Sequence, residues 1–187
     1  MEFEKVIHMR RALRALDHIE ITEEFIRDVT LLASRSPSCG NKQSWRFVFV
    51  KDKNQLELLH VALSGGNYWA KDASMLIAVF SKPELDCMIE ERNYYLFDTG
   101  MATNQLMLAI VNRGLVAHAM AGFNEKVAKE VLNISEDMRL ITIIAVGKHS
   151  ANPESKLSDK HLEVEKIISD RKNFEEFAYI DSVSHSL

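Results

Sequence analysis

From Leu96 to Val111 the chain reads Leu-Phe-Asp-Thr-Gly-Met-Ala-Thr-Asn-Gln-Leu-Met-Leu-Ala-Ile-Val. Wound as a helix, this run is apolar on nearly every side. Such a helix lies inside a core or against another subunit. The pattern extends it from Glu90 to Arg113, with Asn112-Arg113-Gly114 as its stop and Gly114 in the left-handed position. Gly100 and Ala102 leave room for another backbone to come close. The rest of the chain must supply the elements that cover this spine. With 187 residues, residues 1–187 are expected to form one domain. The formal charge of −4 gives no reason to expect nucleic acid or an anionic membrane as partner, so any bound anion needs a local basic cluster. No apolar signal core follows Met1 and no run reaches membrane-spanning length. Two cysteines, Cys39 and Cys87, make no disulfide framework, which fits a reducing compartment. The expected location is cytoplasmic.

Taken in order, Phe3, Val6, Ile7, Ala12, Leu13 and Leu16 recur at helical spacing and predict a helix over 3–16. Arg10 and Arg14 then share a face, where like charges repel unless an anion sits between them. Thr22 caps a second helix running to about Ser34. Trp45–Val50 is a strand, Gln55–Leu63 a helix, and Ser64-Gly65-Gly66-Asn67 a loop without the strand and helix of a phosphate-cradling motif. Ser74–Phe80 is a continuously apolar strand, as expected where both faces of a sheet are covered. Leu115–Ala119 is a short strand, Asn124 caps a helix over Glu125–Leu132, and Leu140–Val146 is a second buried strand. This mixture gives an α+β fold, a central mixed sheet flanked by helices around the long hydrophobic one. After Lys148 the chain turns polar. Leu162, Ile167 and Ile168 mark one short helix, and residues 170–187 place Phe174, Phe177, Tyr179 and Ile180 where no core of their own can form. A partner subunit would cover them.

Between the second helix and the first strand lies Ser36-Pro37-Ser38-Cys39-Gly40-Asn41-Lys42-Gln43-Ser44-Trp45-Arg46-Phe47. Pro37 ends the helix, and Gly40 permits a positive φ. Ser38, Asn41 and Gln43 offer hydroxyl and amide groups that can meet a flat rim of mixed donors and acceptors. Two readings stand for Cys39: a thiol made reactive by Arg35 and Lys42, or a small packing residue. Other chemistries find no motif. The seven histidines are scattered, with no His-Glu-x-x-His or Cys-x-x-Cys, so no metal site is expected. There is no Gly-x-Ser-x-Gly elbow and no Gly-x-Gly-x-x-Gly after a strand.

Together these pieces resemble the nitroreductase family of flavoproteins. Arg10-Arg11-Ala12-Leu13-Arg14 is similar to the family's Arg-Arg-Ser-x-Arg element. The loop over 36–47 resembles its Pro-Ser-x-x-Asn-x-Gln-Pro-Trp-x-Phe signature, and Asp98–Ala109 its long central helix. Gly114-Leu115, Gly122-Phe123 and Val146-Gly147 follow in family order. The resemblance implies a nitroreductase-like homodimer with one FMN per subunit at the interface and exchanged C-terminal segments. It implies that Arg10 and Arg11 hold the FMN phosphate and that Arg14 reaches the pyrimidine edge, where a cation stabilises charge gained on reduction. Pro37, Ser38 and Asn41 would reach the flavin from the partner, and Gly122 would give a backbone contact near N5. Ala12, Cys39 and Gln43 fall inside the same motifs and join the expected cofactor-binding set. No catalytic side chain is implied, since the flavin carries the chemistry.

Three departures bear on affinity. Ala12 replaces a phosphate-binding Ser, and Ser44 replaces a Pro and should loosen the turn. In place of the family's C-terminal arginines only Lys156 and Lys160 are available, with Lys160 the expected phosphate ligand. These predict weaker FMN retention. The implied activity is ping-pong transfer of two electrons from NADH or NADPH through FMN to an electron-poor acceptor such as a nitroaromatic or quinone. Alternatives on the same fold are an enoate or dehalogenating reductase, a reductase fed by a protein donor, and a non-enzymatic flavin-binding dimer.

Overall fold

The computed structural model describes residues 2–183. The last four residues of the C-terminal extension expected over 170–187 therefore lie outside the described residues. The elements run α1 (Phe3–Met9), β1 (Leu16–Asp17), α2 (Glu23–Ala33), β2 (Arg46–Val50), α3 (Lys53–His60), β3 (Met75–Ser81), β4 (Met88–Ile89), β5 (Arg92–Asn93), α4 (Tyr94–Asn112), β6 (Val116–Met120), α5 (Glu125–Leu132), β7 (Arg139–His149) and α6 (Asp159–Lys166). Short 3₁₀ turns connect several of them.

Strand β7 is the centre of the sheet and pairs with β3, β6 and β1, while β2 lies outside β3. Side chains alternate between the two faces, as strand geometry requires. Leu76 and Ala78 of β3 join Ile143 and Ala145 of β7 in a core under Trp69 and α3. Met75, Ile77 and Val79 join Ile144 and Val146 in a second core that takes in Val29, Leu106 and Ile110. Both faces are covered, which explains the unbroken apolar runs. The α+β class and the helix-flanked sheet stand as expected. In direction the described pairings are antiparallel throughout.

Caps fall where the sequence places them. The Thr22 hydroxyl accepts the Phe25 N–H at 3.1 Å, Asn124 accepts the Val127 N–H at 3.2 Å, and Gly114 has φ +80°.

Three expectations are corrected. The first helix ends at Met9, and Arg10 is already extended (φ −66°, ψ 109°). The reason is tertiary: Ala15 and Leu16 are fully buried, and Leu16 pairs with His149, which an extended chain reaches and a helix does not. Arg10 and Arg14 therefore share no helix face. The long helix begins at Tyr94, because residues 88–93 form a hairpin whose turn holds Glu90 at φ +57°. Finally, Cys39 and Cys87 are bonded to each other, with Cα atoms 5.9 Å apart. The hairpin before α4 folds back on the loop after α2 and brings together cysteines 48 residues apart. Cys39 is thus neither a free reactive thiol nor a mere packing residue, and the inference of a reducing compartment loses its premise. Among the described residues no helix is long and apolar enough to cross a membrane.

Candidate functional site

The segment between α1 and β1 carries the basic motif. Arg10, Arg11, Ala12 and Arg14 line a cavity of about 610 Å³ together with Glu165, Ile167, Ile168 and Arg171. Four arginines and one carboxylate leave this cavity strongly cationic, in a chain whose formal charge is −4. The segment is held at successive groups. The Leu13 carbonyl accepts from His118 Nδ1 at 3.0 Å, Glu165 takes the Arg14 N–H at 2.6 Å, and the Ala15 carbonyl takes the Ser150 N–H at 2.9 Å. The hydrogen bond to Leu13 fixes the tautomer of His118 with the proton on Nδ1. Burial, against the face of Trp69 at 4.6 Å between ring centres, pushes the imidazole down to about 4. His118 is a neutral support at pH 7, not a general acid.

The loop after α2 is built differently. Gly40 (φ +54°), Asn41 (φ +56°) and Gln43 (φ +51°) are all left-handed, a conformation that is costly outside glycine and survives only where surroundings impose it. Those surroundings are visible. The Ser38 hydroxyl accepts the Gln43 N–H at 3.0 Å, Gln43 donates to Asn41 Oδ1 at 3.2 Å, and the Cys39 N–H goes to Asp98 at 2.6 Å. Asp98 is buried at the start of α4, and desolvation pushes its carboxyl above the usual range, with the nearby Asp86 charge adding to the effect. Ser44 does not loosen the turn. It is fully buried, its hydroxyl donates to Asp86 at 2.5 Å, and its carbonyl accepts from Ser81 at 2.8 Å.

Among the described residues these two halves line different cavities. Pro37, Ser38 and Cys39 line a separate apolar recess with Ile89, Tyr94, Phe97 and Asp98. Gly122 lies apart from both, pressed against the loop before β3. Its carbonyl accepts from Asn67 Nδ2 at 2.8 Å, and a Cβ there would stand 2.3 Å from Ser64 Oγ. Lys160 is exposed and does not line the arginine cavity. Lys156 bridges Asp17 at 3.2 Å and Asp72 at 3.4 Å. Arg171, which sequence reasoning passed over, does line it. Its signal was a lone arginine in a stretch without periodicity.

The residues present fit a flavin mononucleotide's phosphate: a cationic cavity, planar multi-donor side chains and no competing metal cluster among the described residues. Comparison with known proteins gives the same direction. A family model described as the nitroreductase family matches residues 7–67 and 55–148. The chain is 26% identical over 147 residues to an Archaeoglobus fulgidus protein provisionally named an NADH dehydrogenase/NAD(P)H nitroreductase, covering 76% of this chain and 83% of that one. It is 27% identical over 182 residues to an iodotyrosine deiodinase of Nematostella vectensis, covering 82% and 69%. Among solved structures it is similar to an oxidoreductase described as containing FMN, with a TM-score of 0.85, 27% identity and coverage of 98% and 93%. A nitroreductase family protein from Clostridium novyi NT has a TM-score of 0.75 at 24% identity, covering 100% and 97%.

Proposed function

The chain belongs to the nitroreductase family, and on that premise we propose that it is an FMN-dependent oxidoreductase fed by NADH or NADPH. Bound FMN would supply two-electron hydride chemistry, passing electrons in ping-pong fashion to an electron-poor acceptor. The observation that carries this reading is the arginine cavity. Arg10, Arg11 and Arg171 are assigned to the phosphate, and Arg14 to the pyrimidine edge of the ring. No side chain need move a proton, since positioning accounts for the protein's share.

The active unit is a homodimer. Support comes from the separation of the two half-sites and from apolar surface left uncovered in one chain. A groove of about 630 Å³ runs between Phe3, Val6, Leu32, Met101 and Leu108, and Phe97 and Phe177 are each 62% exposed. A second subunit that covers these faces can bring Pro37, Ser38, Cys39, Asn41 and Gln43 to its partner's arginine cavity. The FMN-containing structural neighbour supports the cofactor. A second reading, reductive dehalogenation on the same flavin, draws on the deiodinase relatives of Nematostella vectensis and Haliscomenobacter hydrossis.

An absorbance spectrum of the purified protein tests the proposal. Bands at about 370 and 450 nm, the usual positions for oxidised flavin, should bleach on anaerobic addition of NADH or NADPH. Protein that shows no bands after FMN is added would overturn the cofactor assignment. Nitroaromatic, quinone and halophenol acceptors, compared on the bleached protein, separate the two readings. Arg14→Ala should lower the flavin midpoint potential and slow turnover; an unchanged potential removes its tuning role.

A further inference from the structure

Glu165 is a carboxylate only 8% exposed, placed under the segment that supplies three of the four cavity arginines. Its Oε2 accepts the Arg14 N–H at 2.6 Å, and both its oxygens lie 3.4 Å from the Ala15 amide. Its Oε1 meets His149 Nε2 at 2.9 Å. Its backbone carbonyl accepts from the Arg11 guanidinium, which also donates to the Ile167 carbonyl at 3.1 Å. A buried carboxylate persists only when paired and hydrogen-bonded. Here the partners are the arginine segment's own backbone. Sheet pairing starts only at Leu16, so without Glu165 the amides of Arg14 and of the fully buried Ala15 have no ladder to join, and a buried orphan amide is costly.

We propose that Glu165 is a positioning residue for phosphate-monoester recognition. Its carboxylate fixes the backbone at Arg14 and Ala15, so that the arginines meet the anion without reordering. The inference rests on the FMN reading of the same cavity. Its test compares FMN with riboflavin, which lacks the phosphate, by flavin fluorescence quenching. The wild type should prefer FMN by more than about tenfold, the scale of one or more charge-assisted contacts. Glu165→Ala should bring that preference close to one, mainly through weaker FMN binding, whereas Glu165→Gln, which keeps an acceptor, should hold it within about threefold of wild type. Partial unfolding weakens both ligands alike, so the ratio isolates positioning from general damage. Glu165→Met, similar in volume and without an acceptor, serves where the alanine variant does not fold.

An alanine or methionine variant that keeps the wild-type preference overturns the inference alone. A glutamine variant that loses it as fully as alanine also overturns it, because charge and not geometry would then be the cause. A wild type that binds neither flavin overturns the FMN reading and this inference with it.

Discussion

The two halves of the candidate site are both irregular segments hung on a buried carboxylate, yet they are secured in opposite ways. Arg10–Ala15 is held by non-covalent contacts only: Glu165 on its amides, His118 on a carbonyl, Ser150 on another. Its side chains are like charges that gain from a bound anion. The Pro37–Gln43 loop is cross-linked to Cys87, anchored to Asp98, and wound through left-handed residues. Its shape exists before any ligand arrives. The difference teaches a division of labour: one half responds to the ligand, and the other is a fixed wall.

The sharpest way to break this comparison is to cut the cross-link. A disulfide spanning 48 residues stabilises mainly by restricting the unfolded chain, by about 2–4 kcal/mol. Cys87→Ser, or reduction with a phosphine, should lower the thermal midpoint by roughly 5–15 °C for a chain of this size. FMN added at ~100 times its Kd should raise the midpoint of both forms, since ligand linkage contributes about 2.7 kcal/mol. Scanning calorimetry with and without FMN reads both effects. A cross-link whose loss leaves the midpoint unchanged would mean the wall is held by its hydrogen bonds alone.

The responsive half has its own lever in acid. His118 is neutral in the folded state, with its pKa pushed down to about 4 from 6.5 by burial. Unfolded chain takes up a proton first, so this contribution is fully present above pH 6.5 and is lost as pH falls from 6.5 towards 4. The difference amounts to about 3 kcal/mol. Urea titrations at pH 7 and pH 4.5 should show the loss, and His118→Gln should flatten it.

How much of this could be read from residue order depends on how local the cause is. The strands at 75–81 and 139–149 announce themselves as apolar runs, and Thr22, Asn124, Gly40 and Gly114 act on their nearest neighbours. Apart from the start of α4, which the local hairpin over 88–93 moves to Tyr94, the failures are long-range. Ala12, Leu13 and Leu16 fit a helical period, but the segment is extended because its partners, Glu165 and His149, lie more than 130 residues away. Cys39 and Cys87 show no spacing that implies a bond, since only the fold-back of the hairpin before α4 sets their Cα distance. Arg171 has no motif around it and enters the cavity only through the path of the chain after α6. The basic cluster and the polar loop were legible as chemistry; what holds them was not.

The finest test compares the two carboxylates themselves. Asp98 and Glu165 are both nearly buried, and both accept backbone amides, so an amide substitution asks the same question of each. Among the described residues no cation is bonded to Asp98. Burial raises its pKa, and Asp86 adds a like charge nearby. Its ionisation therefore opposes folding: stability falls as pH rises from the unfolded value of 3.8 through the raised folded one. Asp98→Asn keeps an acceptor for Cys39 and removes that penalty, so stability at pH 7 should rise slightly, by about 1 kcal/mol or less. Glu165 is bonded to two amides and His149, and Glu165→Gln weakens charge-assisted bonds, so stability should fall by about 1.5–3 kcal/mol. Urea unfolding of the two variants at pH 7 decides the matter by sign. Equal losses would show that the fixed wall depends on its buried charge as much as the responsive segment does, and the contrast between them would reduce to the disulfide.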